Sequence, residues 1–131
     1  MELNWIAVIA AGLSSMILGA LWYAPPVFGR AWQAATGLSD AELQGGNPAL
    51  IYGGATILSL ITAAIFSMFL GPKPALGFAL GAGASAGLCW VAASFAINYL
   101  FERKSLKLWL INGGYHTLQF TLFGLLLSWL G

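Results

Sequence analysis

Apolar residues in this chain neither alternate nor form a narrow stripe; they run on. Four stretches, at about residues 4–24, 48–70, 75–101 and 106–130, are almost wholly apolar, broken by small residues, a few uncharged polar ones and, at the edge of the last, Lys107. A helix rises about 1.5 Å per residue, so roughly 20 residues cross a hydrocarbon core about 30 Å thick. Each stretch reaches that length. The pattern predicts an all-α membrane protein, a bundle of four transmembrane helices.

Local signals set the limits of these helices. Pro25-Pro26 stops the first, because proline removes a donor and clashes with the preceding turn. Asn47 suits an N-cap and Pro48 the first helical position, so the second starts there. Gly71-Pro72-Lys73-Pro74 ends it. The third and fourth contain no proline and no interior charge. In the long connection after the first helix, Phe28, Ala31, Trp32 and Ala35 recur at helical spacing while Arg30 and Gln33 point the other way. That pattern predicts a short interfacial helix over about residues 27–37. Ser39-Asp40-Ala41-Glu42 then has capping-box spacing, and Gly45-Gly46 turns the chain back.

Composition agrees with lipid as the solvent. Only 7% of residues are charged, against about 25% in soluble domains, so a wetted surface is out of reach. Most of the 131 residues lie in the four stretches, which leaves one transmembrane domain and no separate soluble one. A net charge of +1 gives no case for nucleic acid. Lone Cys89 cannot pair within the chain and is expected to be a small apolar filler. Met1-Glu2-Leu3-Asn4 is acidic where a signal peptide is basic, so the first stretch is expected to be an uncleaved span.

Charge also orients the chain. An even number of spans puts both termini and the Pro72 turn on one face, with Lys73 alone; Arg30, Arg103, Lys104 and Lys107 share the other. The positive-inside rule predicts the latter face in the cytoplasm of a prokaryotic cell, both termini outside the inner membrane.

Polar residues inside spans face protein or a wet cavity. Ser94, Asn98 and Glu102 lie four apart on the third helix, and Asn112 and His116 four apart on the fourth, with Gln119 following. The two helices are consecutive and antiparallel, so these faces are expected to meet near the cytoplasmic surface, where Trp22 and Tyr23 end the first helix. The predicted pocket is lined by Trp22, Tyr23, Asn98, Glu102, Asn112, Tyr115 and His116. The alternative is that these groups only tie helices together, that Glu102 pairs with its basic neighbours, and that Trp22, Trp109 and Trp129 are interface anchors. One His, one Cys and few acidic residues predict no metal site, and no cofactor is expected. Glycines four apart, Gly77 with Gly81 and Gly83 with Gly87, and the Ala11, Ser15, Gly19 face suit close helix packing. A homo-oligomer with one of these faces as its seam is expected.

Leu21-Trp22-Tyr23-Ala24-Pro25, Phe28-Gly29-Arg30-Ala31-Trp32 and Thr36-Gly37-Leu38 form one motif. Asn98-Tyr99-Leu100-Phe101-Glu102, Ser105 to Asn112 and Gly114-Tyr115 form a second. Together they resemble the bacterial "domain of unknown function 1761" family. The resemblance implies a small four-span prokaryotic membrane protein and carries no catalytic assignment. The first functional expectation is binding or transport of a small or amphipathic molecule in the cytoplasm-side pocket. A non-catalytic subunit that scaffolds or binds membrane lipids is the second, its basic residues meeting anionic headgroups. A membrane enzyme using His116 as general base on a lipid-like substrate is the third, and a non-enzyme is favoured over it.

Overall fold

Start and stop signals fix the elements of the computed structural model, which describes residues 3–131. Met1 and Glu2, which bear on the uncleaved first span, lie outside the described residues. Helix α1 (Trp5–Trp22) is capped by Asn4, whose Oδ1 accepts from the Ala7 amide at 3.2 Å. A π-helical turn (Pro25–Gly29) and α2 (Arg30–Thr36) follow, ending on left-handed Gly37. The segment expected as one interfacial helix is thus a continuous helical run from Pro25 to Thr36, its first turn widened to the π form, with Gly29 N donating to Ala24 O at 3.0 Å. Helix α3 (Asp40–Gln44) carries both halves of its capping box, Ser39 Oγ accepting from Glu42 N at 3.1 Å and Glu42 Oε1 from Ser39 N at 3.2 Å.

Helix α4 (Pro48–Leu70) starts under the Asn47 cap and stops at Gly71, whose φ of 79° lies in the left-handed region that glycine adopts freely. Helix α5 (Leu76–Ser85), a π-helical stretch (Ala86–Ala92) and α6 (Ala93–Glu102) make one continuous rod. Arg103, at φ 59°, closes it while the Lys104 amide donates to Tyr99 O at 2.9 Å. Helix α7 (Leu106–Leu130) begins at Ser105, whose Oγ accepts from Leu108 N at 3.1 Å.

Among the described residues the fold is all-helical. The three helices α1, α4 and the α5–α6 rod are long and apolar enough to cross a membrane. Helix α7 has 25 residues and falls short in apolarity alone, because Asn112, Tyr115, His116 and Gln119 crowd its middle.

Helix α7 is central, with α1 on one side and the rod on the other; α4 packs on α1, touches α7 lightly and does not pack along the rod. Small residues allow the close approach of α7 and the rod. A Cβ on Gly87 would lie 2.6 Å from His116 O and 2.7 Å from Thr117 Cα; one on Gly83 would meet Phe120 C at 2.8 Å. The Ala11, Ser15, Gly19 face of α1 is likewise used within the chain, with Ala11 and Ser15 buried and Gly19 against Tyr115. Gly77 and Gly81, by contrast, have open space on the outer face of the rod. Cys89, farther along the rod, is free and exposed. The apolar core gathers Val8 and Ala11 of α1, Ala63 and Phe66 of α4, and Phe123 and Leu127 of α7.

Candidate functional site

Above that core, toward the end of the bundle bearing α2 and α3, the interior turns polar. Ser15, fully buried, is its centre. Gln119 Nε2 donates to Ser15 Oγ at 2.6 Å, Ser59 Oγ approaches the same oxygen at 3.4 Å, and Tyr115 Oη donates to the Ser15 carbonyl at 2.8 Å. His116 Nδ1 lies 2.6 Å from Gln119 Oε1. One turn higher, Tyr23 Oη donates to Asn112 Oδ1 at 2.6 Å, and Asn112 Nδ2 donates to Tyr99 Oη at 2.8 Å. Hydrogen bonds thus tie together α1, α4, α6 and α7. Such bonds average about 0.6 kcal/mol in membranes, so their weight lies more in register than in stability.

Aromatic rings fill the space around these groups. Tyr23 meets Trp32 at 5.8 Å and Tyr115 at 5.5 Å; Tyr115 meets His116 at 4.9 Å; Phe95 stacks on the imidazole at 5.1 Å and 11°. Trp22 packs on Phe28 and donates its indole N–H to Ile111 O at 2.8 Å. Trp109 donates to Ala92 O at 2.8 Å. Both indoles therefore point inward as tethers, whereas Trp129 is exposed.

Of the seven residues expected to line a pocket, the structure brings together Trp22, Tyr23, Asn112, Tyr115 and His116. Asn98 and Glu102 are exposed and stand outside the cluster. The π-helical stretch is the reason. A plain α-helix with Ala79, Gly83 and Gly87 turned inward would continue inward through residues 94 and 98. Ala86–Ala92 inserts about one extra residue, so Phe95 and Tyr99 take those places. The Ala92 carbonyl, at the end of that stretch, accepts the Trp109 bond.

Ser15, Ser59, Phe95 and Tyr99 were not among the expected lining residues. Ser15 was marked in the sequence only as a small residue of a packing face, Ser59 is one of several hydroxyl residues of α4, and nothing in the residue spacing marks a π-helical insertion.

The cluster is open on one side. His116 lies one turn from Phe120, whose ring meets Phe66 of α4 at 5.3 Å, so the imidazole shares the face of α7 turned toward α4. Below, α4 covers that face. Above, nearly every residue from Pro48 to Leu58 is exposed, and Gly53 and Gly54 have nothing beyond their own helix within 4 Å. The first half of α4 and α6 do not pack along one another, and half-buried His116 and Asn112 stand at the back of the gap between them. No charged side chain joins the cluster. Among the described residues no three His, Cys, Asp or Glu side chains converge, so no protein-built metal site is formed. A cavity of about 380 Å³ lies at the other end, lined by Asn4, Ser67, Gly71, Lys73, Leu127 and Gly131, away from the cluster.

Residues 6–128 match the model of the family described as "Protein of unknown function (DUF1761)". The chain belongs to that family. Both DUF1761 motifs noted in the sequence fall within the match, and they supply Trp22, Tyr23, Tyr99, Asn112 and Tyr115, five members of the cluster. Among curated proteins and solved structures, nothing matches the chain.

Proposed function

We propose that this DUF1761 chain is a four-span membrane protein that binds a small or amphipathic molecule in a cleft between α4 and α6 and carries it between bilayer and cytoplasmic side. The observation behind this reading is the gap between α4 and α6: aromatic rings beside it, a polar back at mid-helix depth, and one wall, α4, held mainly through α1. Helix α7 is the fourth span; its polar groups point at partners inside the bundle, where a span tolerates them. Arg30, Arg103, Lys104 and Lys107 mark the cytoplasmic end, both termini lie outside, and the bilayer is the cell membrane of a prokaryote. The reading requires no cofactor or metal.

A long-chain alcohol bearing a diazirine, activated in native membranes, tests this. Label on the peptides carrying Phe95, Tyr99 or His116 supports it. Label confined to outward residues such as Trp90 and Phe101 overturns it.

A second copy fits the outer face of the rod, where Gly77 and Gly81 have open space beside them and Cys89 is exposed. Oxidative crosslinking through Cys89 tests this pairing: a linked dimer supports it and monomer alone contradicts it. A second reading, a lipid-binding or scaffolding subunit, is favoured by one observation. All four basic residues at the α2–α3 end are exposed, as contact with anionic headgroups requires. Reversing them should then weaken retention of anionic lipid in native mass spectrometry; unchanged retention would remove that reading.

A further inference from the structure

Deepening the cleft reading, on which it rests, we propose that His116 Nε2 is a fixed hydrogen-bond acceptor for the hydroxyl of an uncharged amphiphile. Hydrogen counting fixes the acceptor. Tyr115 Oη lies 2.8 Å from the Ser15 carbonyl and 3.0 Å from Ser15 Oγ. A carbonyl only accepts, so Tyr115 gives its single proton there, and Ser15 Oγ must donate to Tyr115 Oη. With that proton committed, Ser15 Oγ can only accept from its other neighbours. The Gln119 atom 2.6 Å away must therefore be Nε2, which turns Oε1 toward His116 Nδ1, also at 2.6 Å. An amide oxygen only accepts, so Nδ1 carries the imidazole proton. A neutral imidazole has one such proton, and Nε2 is left with a bare lone pair that has no partner among the described residues.

The surroundings define what that lone pair can receive. Phe95 stacks on one face of the ring and Tyr115 meets it edge-on. Helices α1 and α4 contain no charged residue, α6 has only Glu102 at its end, and α7 only Lys107 in its first turn. A charged head beside His116 would be buried without a counter-charge. A neutral O–H satisfies Nε2, whereas an ether of the same shape leaves it unpaired.

The imidazole is the only one in the chain, so 15N-histidine labelling in bilayer nanodiscs gives one ring to observe. The expected spectrum is a neutral ring with Nδ1 protonated and Nε2 unprotonated. Two probes are then added, 4-octylphenol and its methyl ether, with nuclear Overhauser contacts from probe to His116 ring protons reporting occupancy. The phenol should move the Nε2 resonance and bind roughly tenfold more tightly than the ether. An Nε2-protonated ring overturns the proposal. So does an equal Nε2 response with contacts from both probes, although the cleft reading then stands. Absence of contacts from either probe overturns both.

Discussion

Replacing Gly87 by alanine tests the close packing of the rod against α7. The new methyl carbon would lie 2.6 Å from the His116 carbonyl oxygen, 2.7 Å from Thr117 Cα and 3.1 Å from His116 C. All three are backbone atoms, so no side chain can swing aside. Ordinary carbon contacts sit at about 3.5–4.0 Å, and the rod and α7 would have to part by about 1 Å. Overpacking of this kind costs about 1–3 kcal/mol. Alanine returns about 1 kcal/mol through its higher helix propensity, leaving a net loss of up to about 2 kcal/mol.

Gly53→Ala is the matched control: the same methyl is added to a helix interior with nothing within 4 Å, so only the propensity gain remains. The propensity gain is common to both, so the two variants should differ by the overpacking cost alone, about 1–3 kcal/mol, with Gly87→Ala the less stable. Unfolding in mixed micelles titrated with a denaturing detergent, followed by tryptophan fluorescence, measures this. Equal stability of the two variants would refute the backbone contact between the rod and α7.

Tyr23→Phe removes the donor to Asn112 Oδ1 and should destabilise by about 0.6 kcal/mol, with about 1.7 as ceiling, in the same titration. Arg103→Gly relieves a left-handed residue at φ 59° and should raise stability by about 1 kcal/mol; a loss would mean that the arginine side chain anchors the turn. Gln119→Leu frees the His116 ring from its Oε1 partner, so 15N spectra should change from one tautomer to a mixture; an unchanged spectrum would show that something else holds the proton. Asn98→Ala should leave diazirine labelling of the cleft intact whereas Tyr99→Ala reduces it; the reverse would restore Asn98 to the site.

The sequence-legible part of this fold is its punctuation. Asn47-Pro48 and Gly71-Pro72 bracket α4, and Ser39 with Glu42 opens α3, because caps and prolines act within a few residues of themselves. Clustering of Trp22 and Tyr23 with Asn112, Tyr115 and His116 followed from the antiparallel order of helices and their depth. Which face of α6 looks inward did not follow. Periodicity counts residues on a regular helix, and one inserted residue between Ala86 and Ala92 exchanges Asn98 for Tyr99. Ser15 was readable only as a small residue suited to packing; its place as the hub of three helices depends on where Ser59, Tyr115 and Gln119 meet it. The two inward-pointing indoles belong to the same class, since a tryptophan near a helix end gives no sign of whether its N–H will seek headgroups or a carbonyl.

The account depends most on α7, the least apolar of the long helices, crossing the bilayer with its polar middle turned inward. Single cysteines at Ser105 and Ser128, introduced after Cys89→Ser, bracket it. A membrane-impermeant thiol reagent applied to intact cells and then to inverted vesicles should label residue 128 only from outside and residue 105 only from the cytoplasmic side. Both positions reacting from one side would contradict the crossing and, with it, a binding cleft at mid-membrane depth.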